Sequence, residues 1–167
     1  VLSPEVFAFM GPGVEDINRD VYPRLISAGK VVRGHVVDGG QVYWSDVGTP
    51  ARYLAAHDDA LTGKMSMAPY GEASPFAGLR REVFSYRHPD AELGDARISG
   101  PAWFGAGARL GAGVRIGAMV SVGPGASVGA GAQLNRVAVL DGATVPEGVL
   151  LEDCIVAPGG VVVKRDA

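Results

Sequence analysis

The stretch ISGPAWFGAGARLGAGVRIGAMVSVGPGASVGAGAQL, residues 98–134, repeats one pattern every six residues. An apolar residue stands at each sixth position, and a small or β-branched residue follows it four positions later. The apolar series is Ile98, Phe104, Leu110, Ile116, Val122, Val128, Leu134 and Leu140, and after one dropped residue Val145, Leu151, Ala157 and Val163. The small series is Ala102, Ala108, Val114, Val120, Ala126, Ala132, Ala138 and Thr144.

A period of six predicts a parallel β-helix, in which each unit gives one short strand and one corner, with the apolar and the small side chain pointing inward. Glycine follows the apolar residue at positions 105, 111, 117, 123 and 129, where we expect a corner that a Cβ would oppose. Three units make one coil, so residues 98–167 predict roughly four coils. A phosphate-binding loop does not fit the same glycines, because they repeat at six and no lysine follows them.

The first half of the chain predicts short helices and strands. Ser3 is a candidate N-cap for a helix over Ser3–Met10, and Asp16–Gly29 carries a helical apolar spacing that Pro23 can break. Residues 30–48 predict two short strands around the turn signal at 38–40. A helix is predicted from the N-cap Thr49 to Gly63.

Composition and charge exclude several classes of protein. The formal net charge of −3 over 167 residues gives no basic footprint for nucleic acid. No apolar stretch is long enough to span a bilayer, and the N-terminus lacks the basic region of a signal peptide. Cys154 is the single cysteine, which fits a reducing cytoplasm. The absence of an initiator Met suggests that the sequence begins inside a larger domain.

The histidines bear on one function that β-helices of this type often have, the transfer of an acyl group. Such enzymes use a histidine on the coil as general base, and His35, His57 and His88 all lie outside the repeats. The alternative is a structural role, in which the side faces of the coil pack on another subunit or domain. The arginines at 109, 115 and 136 are predicted to form a solvated edge, and the tail VVVKRDA is predicted to cap one end.

The segment YWSDVGTPARY, residues 43–53, is followed by a hexapeptide region that ends in RVAVLDGATVPEGVLLEDCIVAPGGVVV. This order, with the marker W-x-D-V-G-T-P-x-x-Y, resembles the C-terminal half of the sugar-1-phosphate nucleotidyltransferases. Within that family it is most similar to the mannose-1-phosphate guanylyltransferase branch. The resemblance implies that residues 1–63 form the end of an α/β, Rossmann-like nucleotidyltransferase lobe. It also implies a connector over residues 64–97 and a left-handed parallel β-helix over residues 98–167.

The resemblance implies an enzyme that joins a nucleoside triphosphate to a sugar 1-phosphate, giving a nucleotide sugar such as GDP-mannose and pyrophosphate. The family's glycine-rich nucleotide loop and its first metal-binding Asp are absent from this sequence. We therefore expect the chain alone to be inactive and to need the N-terminal half of the same enzyme as partner. A homo-oligomer formed through the β-helix is also expected. The alternatives are a hexapeptide acyltransferase and a noncatalytic regulatory or assembly subunit of a pyrophosphorylase.

The site residues that the resemblance carries over lie in the marker segment. Asp46 matches the family's second metal-binding Asp and is expected to hold Mg²⁺, which prefers carboxylate oxygens and substrate phosphates. Gly48 and Trp44 are predicted to contact substrate, and no catalytic residue is assigned. Taken alone, Asp46 is better explained as a turn residue that binds backbone amides, and only the resemblance favours a metal ligand, while Trp44 reads equally as a core residue.

Overall fold

The computed structural model describes residues 2–36, 43–65, 76 and 79–165. The chain divides into two compact units, residues 1–38 and residues 39–167. The boundary lies before the marker segment rather than at the predicted position 63, because the helix after that segment packs on the β-helix. Within the described ranges, no helix is both long and apolar enough to cross a bilayer.

The first unit is built from short helices. Ser3 caps a 3-10 helix over Pro4–Phe9, and its hydroxyl accepts a hydrogen bond from the Glu5 amide at 3.4 Å. A π-helical turn over Ile17–Val21 leads directly into helix α1, Tyr22–Ser27. Both predicted helices are therefore confirmed. The second one changes from π-helical to α-helical next to Pro23, where a break was predicted. Their buried residues are Val6, Val21 and Leu25.

A Rossmann-like lobe is not seen in the first unit. Its described residues, 2–36, form these helices and contain no strand. The predicted turn at Asp38, Gly39 and Gly40 lies outside the described residues, so the pair of strands predicted around it stays a prediction. The assignment of residues 1–63 to a nucleotidyltransferase lobe likewise stays a prediction.

The second unit contains a parallel β-helix, which confirms the interpretation of the six-residue period. Its strands are β1 Arg80–Arg81, β2 Ser85–Arg87, β3 Arg97–Ile98, β4 Ala102–Phe104, β5 Arg109–Leu110, β6 Arg115–Ile116, β7 Val120–Val122, β8 Ser127–Val128, β9 Gln133–Val139, β10 Thr144–Val145, β11 Leu150–Ala157 and β12 Val161–Lys164. One face stacks β2, β4, β7, β9 and β11 in parallel, a second stacks β3, β6 and β9, and a third stacks β5, β8 and β10. The stack amounts to roughly four coils, and its left-handed sense remains a prediction.

The first coil begins before the predicted boundary at residue 98. Ser85 in β2 pairs with Ala102 in β4, and Glu92 forms a bridge to Arg109. Ala91 and Leu93 join the buried core. Residues 85–97 therefore belong to the β-helix and not to the connector, whose residues 66–75, 77 and 78 lie outside the described part of the chain.

The predicted series is wrong at Leu140, although the following positions Val145 and Leu151 are confirmed by their pairing with Val128 and Leu134. The dropped residue was placed after Leu140, but Val122 pairs with Val139, so the five-residue unit comes one repeat earlier. Val137 and Val139 are the buried core residues there, and Leu140 is only partly buried. The reason is the position of the left-handed corner residue: Arg136, with φ 54°, lies two residues after Leu134, whereas Gly131, with φ 69°, lies three residues after Val128.

Two later positions of the predicted series are wrong for related reasons. Ala143 is fully buried and takes the place assigned to Thr144, which is exposed. In β11 the inward residues are Cys154 and Val156 rather than Ala157, since a second five-residue unit precedes them. Burial raises the pKa of the Cys154 thiol, which fits a core residue better than a reactive one.

The C-terminal segment ends the β-helix by folding back. Strand β12 pairs antiparallel with β11, placing Val163 opposite Ile155, so Val163 is not a further repeat position as predicted. The turn is the 3-10 helix Pro158–Gly160. The edge of the last coil is thus covered by a hairpin, which confirms that this segment caps one end.

The glycines of the β-helix fall into two sets with different physical roles. Those directly after the inward apolar residue, such as Gly129, have ordinary φ values but face the backbone of the next coil. A Cβ on Gly129 would lie 2.5 Å from the Glu147 backbone nitrogen. The corners need a left-handed backbone conformation, and a second set of glycines occupies them. Gly125 is an example, with φ 65° and open space where its Cβ would be. Glycines of the first set therefore allow neighbouring coils to approach closely, and glycines of the second set allow the chain to turn a corner.

Candidate functional site

The marker segment forms a tight loop that leads into helix α2, Pro50–Leu61. Asp46 Oδ1 accepts a hydrogen bond from the Gly48 amide at 3.0 Å, and Oδ2 pairs with the guanidinium of Arg52. The Thr49 hydroxyl accepts from the Arg52 amide at 3.3 Å, which confirms Thr49 as the N-cap. The loop is thus held by the contacts of a turn, and Gly48 fits it because a Cβ there would lie 3.2 Å from Asp46 Oδ1.

The aromatic residues at the start of this segment differ in exposure. Trp44 is 81% exposed, so within this chain it is not a core residue. The neighbouring Tyr43 is partly buried, and its hydroxyl donates to Asp59 Oδ2 of α2 at 3.1 Å. Burial raises the pKa of Tyr43. Tyr43 therefore anchors the marker segment to α2, and the Trp44 ring lies exposed on the surface.

The surroundings of Asp46 bear on its predicted role as a ligand of Mg²⁺. The Asp46 side chain is 53% exposed, which suits a hard oxygen ligand for Mg²⁺. Across the described ranges, however, no group of three or more His, Cys, Asp or Glu side chains lies close enough to hold a metal ion. The Asp46 carboxylate is itself paired with Arg52. A magnesium role for Asp46 stays a prediction.

A contact that the sequence did not predict joins α2 to the β-helix. His57 of α2 and Ser121 of β7 lie 3.0 Å apart between Nδ1 and Oγ, although 64 positions separate them in sequence. Ser121 is 3% exposed, and the His57 ring also packs on Tyr53, with ring centroids 4.8 Å apart. The one sequence signal for this contact was a Ser between two valines on the outward side of a coil strand.

An ion-pair network lies beside the same contact. Arg136 donates to Asp58 of α2 at 2.9 Å and to Asp153 of the next coil at 2.8 Å. Arg165 also reaches Asp153, at 3.3 Å. The Arg136 guanidinium lowers the pKa of the Asp153 carboxyl. The prediction that Arg136 belongs to a solvated edge is therefore wrong, because its side chain clamps α2 to two coils.

A cavity of about 240 Å³ lies between α2 and the β-helix. Its lining is almost wholly apolar and includes Val47 of the marker segment, Trp103 of β4 and alanines of α2. The side chains of His57 and Ser121 complete the wall. Apolar cavities with a few convergent polar groups are typical binding sites for small molecules.

The docking of α2 is expected to weaken in acid. Burial lowers the pKa of His57 below the ordinary value of 6.5, and the neighbouring Asp58 only partly opposes this. A buried imidazole whose pKa is lowered stabilises the docked state while neutral. That contribution is complete above pH 6.5 and is lost as the pH falls through the lowered pKa. Tyr53 and Ser121 also face the ring, and neither supplies a charge near neutral pH.

Tryptophan fluorescence measures this acid effect. Replacing Trp44 with Phe leaves Trp103, in the cavity wall, as the one remaining tryptophan. We expect its emission to change as the pH is lowered below 6.5, and the change to disappear in His57→Gln. His88→Gln, at a partly exposed histidine, serves as the control and keeps the change. An unchanged transition in His57→Gln would contradict the assignment.

Comparison with known proteins gives limited similarity. No protein-family model matches the chain. A stretch of 53 residues is 40% identical to valienol-1-phosphate guanylyltransferase from Streptomyces hygroscopicus subsp. limoneus and makes up 32% of this chain and 13% of that protein. Among solved structures, a mutant of perosamine N-acetyltransferase from Caulobacter crescentus, in complex with CoA and GDP-perosamine, aligns with a TM-score of 0.40 and 23% identity. That alignment covers 84% of this chain and 80% of the other. The chain thus combines the β-helix seen in its own structure with a stretch of 53 residues similar to valienol-1-phosphate guanylyltransferase.

Proposed function

We propose that the chain is part of an enzyme that transfers a nucleotidyl group from a nucleoside triphosphate to a sugar 1-phosphate. The products are a nucleotide sugar and pyrophosphate. The marker segment before a β-helix and the local similarity to a guanylyltransferase support this proposal, and the latter favours GTP as the donor. The remainder of the active site, including the nucleotide loop, is assigned to the N-terminal half of the enzyme.

The observation that carries the proposal is the exposure of the marker loop. Trp44 is 81% exposed and the Asp46 side chain 53% exposed, although both stand in a loop fixed by hydrogen bonds. A large aromatic side chain held on the surface beside a carboxylate is the arrangement expected of one wall of a site. A purely structural loop would bury the ring against α2.

In this proposal each residue of the loop has a separate task. Trp44 offers a flat apolar surface for the sugar phosphate, and Gly48 lets substrate approach the backbone. Asp46 would offer one oxygen ligand to Mg²⁺, which when bound offsets the charge of the phosphates. Arg52 holds the carboxylate in position, and its positive charge also favours an anionic substrate nearby.

Exchange of Asp46 for Asn tests the proposal in the complete enzyme that contains this chain. We expect pyrophosphate release from GTP and a sugar 1-phosphate to fall by at least about tenfold, because a ligand to the metal is lost. Asp90→Asn, at an exposed carboxylate that pairs with His88, is the matched control and keeps the activity. Full activity of Asp46→Asn would contradict the assigned role, and absence of any pyrophosphate release would contradict the proposed reaction.

A second candidate function is acyl transfer, and one contact favours it. The sequence placed no histidine in the repeats, but the fold brings His57 to 3.0 Å from Ser121 on a coil. A neutral, partly buried imidazole beside a coil resembles the general base of such an enzyme. Among the described residues that line the cavity next to it, however, none is a Lys or Arg that could bind the phosphates of coenzyme A. Saturable binding of acetyl-coenzyme A that is lost in His57→Gln would favour this function over the first.

A further inference from the structure

We propose that the cavity between α2 and the β-helix is a binding site for a small aromatic compound that carries one hydroxyl group. This site is independent of the reaction proposed above, since it contains none of Trp44, Asp46 and Gly48. It is formed by one face of α2, by β4 and β7 of the coil and by Val47, together with Met65 and Phe76.

The apolar residues of the cavity wall determine the shape and polarity of the main part of the ligand. Ala56 and Ala60 of α2 stand one helical turn apart and leave open space between the helix and the coil. Trp103 of β4 and Tyr53 of α2 contribute aromatic rings to the same lining. Aromatic rings pack favourably on one another in offset or tilted arrangements. A planar ring therefore suits this wall better than a sugar or a flexible polar chain.

The polar residues of the cavity wall determine which polar group the ligand carries. His57 Nδ1 is engaged with Ser121 Oγ, and Nε2 makes no hydrogen bond to any other described residue. A nitrogen beside an apolar cavity gains a hydrogen bond if a hydroxyl enters, because a hydroxyl both donates and accepts. Either tautomer of His57 is satisfied in this way. A single hydroxyl is thus the smallest group that completes the site.

The volume limits the size of the ligand. An apolar cavity of about 150 Å³ is large enough to hold benzene. The cavity here, at about 240 Å³, therefore accommodates a one-ring phenol with a short substituent or a two-ring compound. The burial of Ser121, at 3% exposure, favours a role in holding the ligand over one as a nucleophile.

Phenol and toluene form a matched pair of probes, because they share a shape and differ in the hydroxyl. Binding is measured by the emission of Trp103 in the Trp44→Phe chain and by ligand-observed NMR. We expect both probes to bind saturably, with phenol about fivefold tighter, as one net hydrogen bond provides. In His57→Phe, which keeps a ring but removes both nitrogens, the preference for phenol should disappear.

A substitution that fills the cavity separates this site from binding elsewhere. Ala60→Leu places a larger side chain in the cavity and should abolish binding of both probes. Ala55→Leu is the matched control, because it makes the same exchange on α2 at a residue outside the lining and should leave both affinities unchanged. The circular dichroism of both variants verifies that the chain is folded.

Three results would overturn the proposal. The first is the absence of saturable phenol binding to the folded chain. The second is unchanged binding in Ala60→Leu, which would place the probe elsewhere. The third is equal affinity for phenol and toluene, which would remove the role of His57.

Discussion

Gly129→Ala is expected to lower the free energy of unfolding of the β-helix by about 3 kcal/mol or more, as overpacking of a filled interior does. The new methyl carbon would lie 2.5 Å from the Glu147 backbone nitrogen and 2.7 Å from the Pro146 carbonyl carbon. Both contacts are to backbone, which cannot rotate away as a side chain can. The two coils must separate locally, and thermal unfolding should show a fall in Tm of about 10 °C.

The neighbouring Gly125 provides the control for this prediction. A Cβ there meets nothing within 4 Å, but the residue has φ 65°. Gly125→Ala should therefore cost only the strain of a left-handed alanine, about 1–2 kcal/mol. The two variants make the same chemical change in the same coil region. Equal destabilisation, or a larger effect at Gly125, would show that the distinction between close approach and turning is mistaken.

Arg136→Ala is expected to destabilise the docking of α2 by about 1–2 kcal/mol, discounted for the partial exposure of the pairs. The substitution removes the contacts at 2.9 Å to Asp58 and at 2.8 Å to Asp153, and leaves two carboxylates facing each other across the gap. Trp103 emission in the Trp44→Phe chain reports the loosening. Added salt should reduce the difference in stability between Arg136→Ala and the parent chain, because these ion pairs are only half buried.

A second substitution at the same position separates charge from backbone strain. Arg136 has φ 54°, which glycine adopts freely and alanine does not. Arg136→Gly should lose the same ion pairs but unfold at a higher temperature than Arg136→Ala, with a difference of about 1 kcal/mol. If Arg136→Ala were as stable as the parent chain, the proposed clamp between α2 and the two coils would be refuted.

The sequence predicted the β-helix well, because its period reflects a local rule. A buried strand residue such as Phe104 or Ile116 recurs whenever the coil completes one side, and no distant partner needs to be known. Helix α2 was predicted for a similar reason, since Thr49 directly precedes its first residue and Gly63 follows shortly after its last. Prediction failed at the shortened corner. Arg136 carries no signal that it will adopt a left-handed conformation, so the five-residue unit was placed one repeat late and Leu140 was chosen in place of Val139.

The candidate site was less predictable because its contacts are long-range. The pairing of His57 with Ser121 depends on how α2 lies across the coil, and neither residue alone differs from an ordinary surface residue in sequence. The resemblance supplied Trp44, Asp46 and Gly48 as site residues but not the exposure that distinguishes a core Trp44 from a surface one. That distinction required the fold.

The hairpin of β11 and β12 decides how copies of this chain can assemble. A bare terminal coil presents its open strand edges to an identical coil, and stacking of that kind propagates into fibres. Here the reversed strand Val161–Lys164 occupies the edge of β11, so head-to-tail growth from this terminus is blocked. The flat sides of the β-helix remain available for association, and a contact between the same side of two copies would give a closed complex of defined size instead of a polymer.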